Sequence, residues 1–328
     1  MGNTISPRQI LLSLSLVTAT VLAALPTTGN SGQTIFFTEN FDNTNFASRG
    51  WYDSTGGVID TSVYSPGGGN SSIRFSFAQG ANTPTGGSPR RHLFTPSETV
   101  YVSFWLKLGT ASVPWQGSGV AYHPHVMMIV TDANGDYDGL AWNNLAFYIE
   151  YNLFTPRLAI QDGQRINLSQ LTRSYPGLLG SATTHAVAGG NGPQNQATPN
   201  LVDYYPIGGG DYTNATFWDS TSANLVNNTW HRLEAYVAMN SISGGVPQAN
   251  GVIKYWIDGT LVVNRTNVYL RTAQFATQKF NQFMLAPYIE PGTGSPIAQD
   301  MWIDNLFVAD QRSASQTIPA PTNLRVIQ

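Results

Sequence analysis

Apolar and polar residues alternate most cleanly over residues 101–108. Val102, Phe104, Leu106 and Leu108 fall on one side there, and Tyr101, Ser103, Trp105 and Lys107 on the other. A period of two marks a strand with one buried face. Ser72 to Phe77 repeats it with Ile73, Phe75 and Phe77. From Trp230 onward Leu233, Ala235, Val237 and Met239 are apolar, with Arg232, Glu234 and Tyr236 between them. A Gly/Pro-rich connection then leads to NGVIKYWIDGTLVVN, where Asp258-Gly259 favours a tight turn with positive φ. A two-residue turn there pairs Ile257 with Thr260 and Trp256 with Leu261. Further strands are predicted at TIFFTENFDN, His125–Thr131, Leu145–Tyr151, Arg157–Gln161, Phe280–Pro287 and Met301–Val308. With hardly any helical periodicity, the chain reads as all-β, two antiparallel sheets packed as a sandwich. Between Gly163 and Asn228 the pattern dissolves into a long Gly/Asn-rich insertion (163–228). Its Tyr204, Tyr205, Tyr212 and Trp218 are expected to form an ordered rim over one sheet, with a disordered connection as the alternative.

Composition narrows the setting. Only 11% of the 328 residues are charged, the net charge is -3, and nothing basic is concentrated enough to serve nucleic acid. Residues 1–32 read as a secretory signal peptide: Arg8, an apolar run from Ile10 to Leu25, then Ala23-Ala24 before Pro26. Cleavage is expected between Ala24 and Gln33. A retained membrane anchor is the alternative, disfavoured because the run is short for a spanning helix. These features imply a secreted or cell-surface domain over 33–312, without stable membrane insertion, followed by a Pro-rich tail at 313–328. The absence of Cys excludes disulfides and lipid attachment through a lipobox thiol. Five N-x-S/T sequons, at Asn70, Asn167, Asn214, Asn227 and Asn264, are within chance for so polar a chain.

The segments W-H-R-L-E-x-Y-V and N-G-x-x-x-x-W-x-D-G-x-L-V, with the later FNQFMLAPYI and MWIDNLFVA, span residues 227–310. They resemble the late strands of concanavalin A-like, laminin G-like jelly rolls. Within that group they are most similar to the sandwich-fold polysaccharide lyases that cleave uronate polymers. The resemblance implies a jelly-roll fold and a glycan partner. It does not choose between a lyase and a noncatalytic, lectin-like or structural surface module, because enzymes and lectins share this scaffold.

Several residues could carry chemistry. Asp132, Asn134, Asp136 and Asp138 place oxygen ligands at every second position, as in the first half of a calcium loop. An Asx-rich hairpin turn is the alternative. The resemblance adds a second possible calcium site joining Glu39 and Asp42 to Asp304. Period-two spacing puts Tyr101, Trp105 and Lys107 on one side of their strand, and likewise Tyr148 with Glu150, Arg157 with Gln161, and Arg232 with Glu234 and Tyr236. If these strands share a sheet, that side is a groove for sugars, whose C–H faces stack on aromatic rings. An ordinary solvated face is the alternative. His123 and His125 stand at the mouth of a strand. β-Elimination from a uronate needs a base for the C5 proton, a neutraliser for the carboxylate and an acid for the leaving oxygen. His125 is the candidate base, Tyr148 the acid, and Arg157 or Gln161 the neutraliser; His125 is alternatively a metal ligand with His123 or a core histidine. The lyases' R-x-E-x-R, Q-x-H and Y-x-K-x-G-x-Y strands are not reproduced. Hydrolysis ranks lower, since the E-x-D-x-x-E strand is absent and Glu150 with Glu234 is the one plausible carboxylate pair.

Overall fold

The computed structural model describes residues 32–54, 56–116, 125–131, 225–268, 270, 276–289 and 294–313. It also gives the backbone of strands at 27–28, 146–152, 155–161, 165–166, 204–205 and 215–217. The strands of the first half are β1 (Thr27–Thr28), β2 (Thr34–Glu39), β3 (Trp51–Asp53), β4 (Val58–Asp60), β5 (Ser72–Phe77), β6 (Arg90–Ser97), β7 (Thr99–Leu108), β8 (His125–Thr131), β9 (Ala146–Asn152) and β10 (Thr155–Gln161). Those of the second are β11 (Arg165–Ile166), β12 (Tyr204–Tyr205), β13 (Ala215–Phe217), β14 (Trp230–Ala238), β15 (Ile242–Ser243), β16 (Val246–Pro247), β17 (Gly251–Ile257), β18 (Thr260–Val268), β19 (Phe280–Tyr288) and β20 (Gln299–Ala309).

Nine strands form one antiparallel sheet, in the order β1-β2-β20-β7-β14-β17-β18, with β5 also paired to β20 and β4 to β5. Seven form the other, in the order β13-β10-β9-β8-β19-β6-β3. The two-sheet sandwich expected from alternation is the observed architecture. Its core lies between the sheets: Val102, Phe104 and Leu106 of β7 and Leu233, Ala235 and Val237 of β14 meet Met127 and Ile129 of β8 and Phe283 and Leu285 of β19 in one cluster. Rings tie the sheets together at one end, where Phe37 of β2 stacks on His92 of β6 at 3.8 Å and meets Trp51 of β3 edge-on. Among the described residues no helix is long and apolar enough to cross a membrane.

The β17–β18 hairpin has the register its sequence predicts, Ile257 opposite Thr260 and Trp256 opposite Leu261. Asp258 (φ 48) and Gly259 (φ 79) both take the positive φ that a two-residue hairpin turn requires. Asp258 also anchors the neighbouring strand. It accepts the Arg232 amide at 2.8 Å and lies 2.6 Å from Nδ1 of His231. Because Nε2 of His231 accepts the Val226 amide at 2.8 Å, Nδ1 is the protonated nitrogen and donates to Asp258.

β6 is a strand that alternation does not announce. Arg90 and Arg91 are both buried and lie on opposite faces. Arg90 turns inward, its guanidinium 4.0 Å from the Phe46 ring centroid and bonded to the carbonyls of Ser54 and Gly56. Burial pulls it down to about 10, against the opposing pull of Glu39. Apart from β11, β12 and β13, the 163–224 part of the insertion lies outside the described residues, and so does the tail at 314–328.

Candidate functional site

The single groove expected from the polar sides of these strands divides in two. Tyr101, Trp105 and Lys107 on β7 and Arg232, Glu234 and Tyr236 on β14 belong to the nine-stranded sheet. His125 on β8, Tyr148 and Glu150 on β9, and Arg157 and Gln161 on β10 belong to the seven-stranded sheet. One core lies between the sheets, so their outer faces look in opposite directions. The physical reason is simple: alternation fixes which side of its own sheet a residue occupies, and leaves open which sheet that is. His123 lies outside the described residues.

On the outer face of the nine-stranded sheet a buried carboxylate is enclosed by the chain itself. Glu234 and Tyr101, both 0% exposed, sit opposite neighbouring positions of β14 and β7. The Tyr101 hydroxyl donates to Oε1 of Glu234, and Arg312, just beyond β20, donates through Nε to Oε1 at 2.9 Å and through Nη2 to Oε2 at 3.2 Å. Arg232 lies 3.7 Å from the same carboxylate, and the Arg312 guanidinium lies 4.7 Å from the Trp256 ring centroid. Burial, and then the Glu234 charge, push the Tyr101 phenol far above its ordinary range, while the bonds to Glu234 raise Arg312. A buried carboxylate is tolerated when it is paired and hydrogen-bonded, as this one is.

Further along the same face, Lys107 lies 5.0 Å from the Trp302 ring centroid, and Trp302 donates to Asp60 at 2.9 Å. Burial lowers the Lys107 ammonium, against the pull of Asp60. Gly67 of the Ser65–Gly69 loop packs on the partly buried Trp105, so close that a Cβ on it would overlap the indole Nε1. Asn305 holds this loop through Ser65 Oγ at 2.8 Å and the Gly68 carbonyl at 2.7 Å.

The second calcium arrangement is not formed by Glu39, Asp42 and Asp304 together. Glu39 accepts from the Phe41 amide, Arg49 Nε and Trp51 Nε1 at 2.7, 2.7 and 2.9 Å. Asp304 accepts from the Ser65 amide at 2.8 Å and the Asn305 amide at 2.7 Å. Its burial raises the carboxyl to about 6, with the nearby Asp42 charge pushing the same way and those hydrogen bonds opposing. Among the described residues no group of three or more His, Asp or Glu is placed to hold a metal ion. Asp132, Asn134, Asp136 and Asp138 lie outside the described residues.

The outer face of the seven-stranded sheet has a different make-up. Met128 and Val130 of β8 and Met284 and Ala286 of β19 form a second apolar cluster, separate from the core. Around it the register sets out rows, since residues directly opposite each other share a face. One row runs Tyr52, Arg91, Met284, Met128, then positions 148 and 159. The next holds Tyr288, His125, then positions 150 and 157. Glu150 is therefore opposite His125, and Arg157 opposite Glu150; Tyr148 stands one row away. Gln161 pairs with Ala146, in the row of Val130 and Gln282. The side chains of Tyr148, Glu150, Arg157 and Gln161 lie outside the described residues. A β-bulge at Val126 makes this arrangement: the extra residue lets Val126 and Met127 both enter the core while His125 keeps its place opposite Glu150. His125 is 4% exposed and meets the Tyr288 ring edge-on, centroids 5.5 Å apart.

The same face carries polar groups that alternation did not single out. Arg91 Nε lies 2.7 Å from Asp53 Oδ2, and Gln282 donates to the Tyr52 hydroxyl. The signal that could have found Arg91 is the RRHLF run itself, two adjacent cations opening a strand.

No protein-family model matches the chain, and no curated protein matches it by sequence. Solved structures do resemble it. The marine PL-14 alginate lyase from Aplysia kurodai superposes with a TM-score of 0.54 at 9% identity, over 85% of this chain and 100% of that one. The endo-β-1,4-glucuronan lyase of the fungus Trichoderma reesei does so with a TM-score of 0.52 at 15% identity, over 85% and 96%. The chain thus has the two-sheet jelly-roll sandwich in which alginate and glucuronan lyases are also built.

Proposed function

We propose that this is a secreted, carbohydrate-active protein that binds an acidic polysaccharide on the outer face of its seven-stranded sheet and cleaves it by β-elimination. The observation that carries the reading is the register placing His125, Glu150 and Arg157 opposite one another on β8, β9 and β10, with Tyr148 one row away. The likeness in fold to lyases named for alginate and glucuronan supports the substrate class.

In this reading His125 takes the proton from C5 of a uronate, and Arg157 or Gln161 neutralises the adjacent carboxylate so that the proton becomes acidic. Electrons from the broken C–H bond form the C4–C5 double bond, the C4–O bond breaks, and Tyr148 gives its proton to the leaving oxygen. Glu150 contributes to binding at the same face, and His123, two residues before His125 in sequence, is assigned to substrate binding as well. Asp132, Asn134, Asp136 and Asp138, directly after β8, would hold a structural calcium ion, and residues 1–32 would direct export.

The experiment is incubation of the purified protein with a panel of polyuronates, following the ultraviolet absorbance of the unsaturated sugar end that elimination creates. A rise that disappears in His125→Ala supports elimination. Glycan binding with no rise in any polymer supports the lectin-like reading instead, and neither binding nor turnover removes the glycan.

A further inference from the structure

We propose that Arg91 is the carboxylate-recognising residue of an outlying subsite on this face, with Asp53 as the resident anion that a substrate carboxylate displaces. The inference rests on the functional reading above and adds to it a residue that fixes the preference for acidic sugars.

Three observations converge on Arg91. Its position on β6 lies opposite Met284 and Tyr52, in the same register row as Met128 and position 148, so it shares the face proposed for the glycan. β6 is separated from β8 by β19 alone, which puts it about 10 Å across the sheet from the strand of His125. A glycan lying across the strands would pass over both. Second, Arg91 is 6% exposed, and a guanidinium kept so far from water has to be paired or hydrogen-bonded. Third, an anion already meets it at 2.7 Å and is open to water: Asp53 ends β3 at φ 65, and its side chain is 32% exposed.

The contrast with Arg90, one residue away, sharpens the point. Arg90 faces the core, where ring and backbone carbonyls hold it. Arg91 is held by a half-exposed carboxylate, the chemical group that a uronate would bring. A planar guanidinium exchanges one carboxylate for another without changing its own geometry, which is why Arg recurs at carboxylate sites. Beside it, the Gln282 amide and the Tyr52 hydroxyl are bonded to each other and sit on the same face, suited to a sugar hydroxyl.

The test compares Asp53→Asn and Arg91→Lys with the wild type, by calorimetric titration with a uronate oligosaccharide and with its carboxyl-reduced, neutral counterpart. Removing the resident anion should tighten binding of the acidic oligosaccharide several-fold and leave the neutral one unmoved. Arg91→Lys, which keeps the charge and loses the fork, should weaken the acidic ligand about tenfold. It should raise KM more than it lowers kcat. If Asp53→Asn loses stability and its affinity for the acidic ligand is unchanged or weaker, the pair is a structural ion pair and the subsite is refuted. A wild type that binds the acidic ligand no better than the neutral one also refutes it. If the wild type binds no polyuronate at all, the functional reading falls and the subsite falls with it.

Discussion

The two outer faces of this sandwich start from the same alternation and end as opposites. On the nine-stranded sheet Glu234 is enclosed by Tyr101, Arg232 and Arg312, Trp302 donates to Asp60, and a loop lies over Trp105. The polar groups named there have partners within the chain. On the seven-stranded sheet an apolar floor of Met128, Val130, Met284 and Ala286 is flanked by His125 and by Arg91 with its half-exposed Asp53. What separates a binding face from a structural one is not how polar its strands are. It is how the charges are set: Glu234 is enclosed by Tyr101, Arg232 and Arg312, whereas Arg91 meets the partly exposed Asp53 beside an apolar floor.

The largest effect expected from breaking this contrast is in turnover. His125→Ala should lower elimination by about a thousandfold, roughly 4 kcal/mol of activation free energy, the scale of a lost general base. Arg312→Met, on the other face, should leave the rate unchanged at a temperature where the protein is folded. Steady-state kinetics on both variants check the pair.

Next comes stability. Arg312→Met strands the buried Glu234 carboxylate, and should cost about 3 kcal/mol, at the low end for a broken buried pair because the Arg312 side chain is 35% exposed. Urea unfolding should show a lower midpoint at unchanged slope.

The third effect is a pH dependence. Asp304 rises from 3.8 to about 6 on folding, chiefly through burial. The folded state therefore holds this proton more tightly than the unfolded chain. Its contribution is fully present below about pH 4 and is lost as pH rises through about 6, the reverse of the usual carboxylate, with a span of about 2 to 3 kcal/mol. Unfolding free energies measured from pH 4 to 7 should show this decline, and Asp304→Asn should flatten it.

How much of this could be read from residues alone follows from what alternation encodes. The β17–β18 hairpin was legible to the residue, because Asp258-Gly259 fixes the turn and the turn fixes the pairing. β7, β8 and β14 were legible because one side of each is aliphatic and the core demands it. β6 was not, because its buried arginines break the pattern on both faces and are satisfied by residues far away in sequence, Gly56, Ser54 and Asp53. The division of the candidate site followed from the same limit. Glu234 and Glu150 look alike in sequence, as strand carboxylates between apolar neighbours. Only the order of strands tells that one lies beneath Arg312 and the other in the row of His125.

The smallest predicted effect tests how firmly the structural face is closed. Gly67 has a modest backbone requirement, unlike its neighbours Gly68 (φ 114) and Gly69 (φ 86), so an added Cβ meets only a packing objection. That Cβ would stand 2.9 Å from Asn305 Nδ2 and closer still to Trp105 Nε1, both below van der Waals contact. Something must yield: either the loop lifts and loosens the Asn305 bonds to Ser65 and Gly68, or the indole tilts. Gly67→Ala should therefore cost about 1 kcal/mol, the lower range for overpacking, since the loop is exposed and can shift. It should also raise the accessibility of Trp105 to a collisional quencher of its fluorescence, read against a Trp105→Phe control. An unchanged midpoint and unchanged quenching would mean that the loop rests only loosely on the sheet. The nine-stranded face would then be open to a ligand at Trp105 and Lys107, and the contrast between the two faces would have to be redrawn.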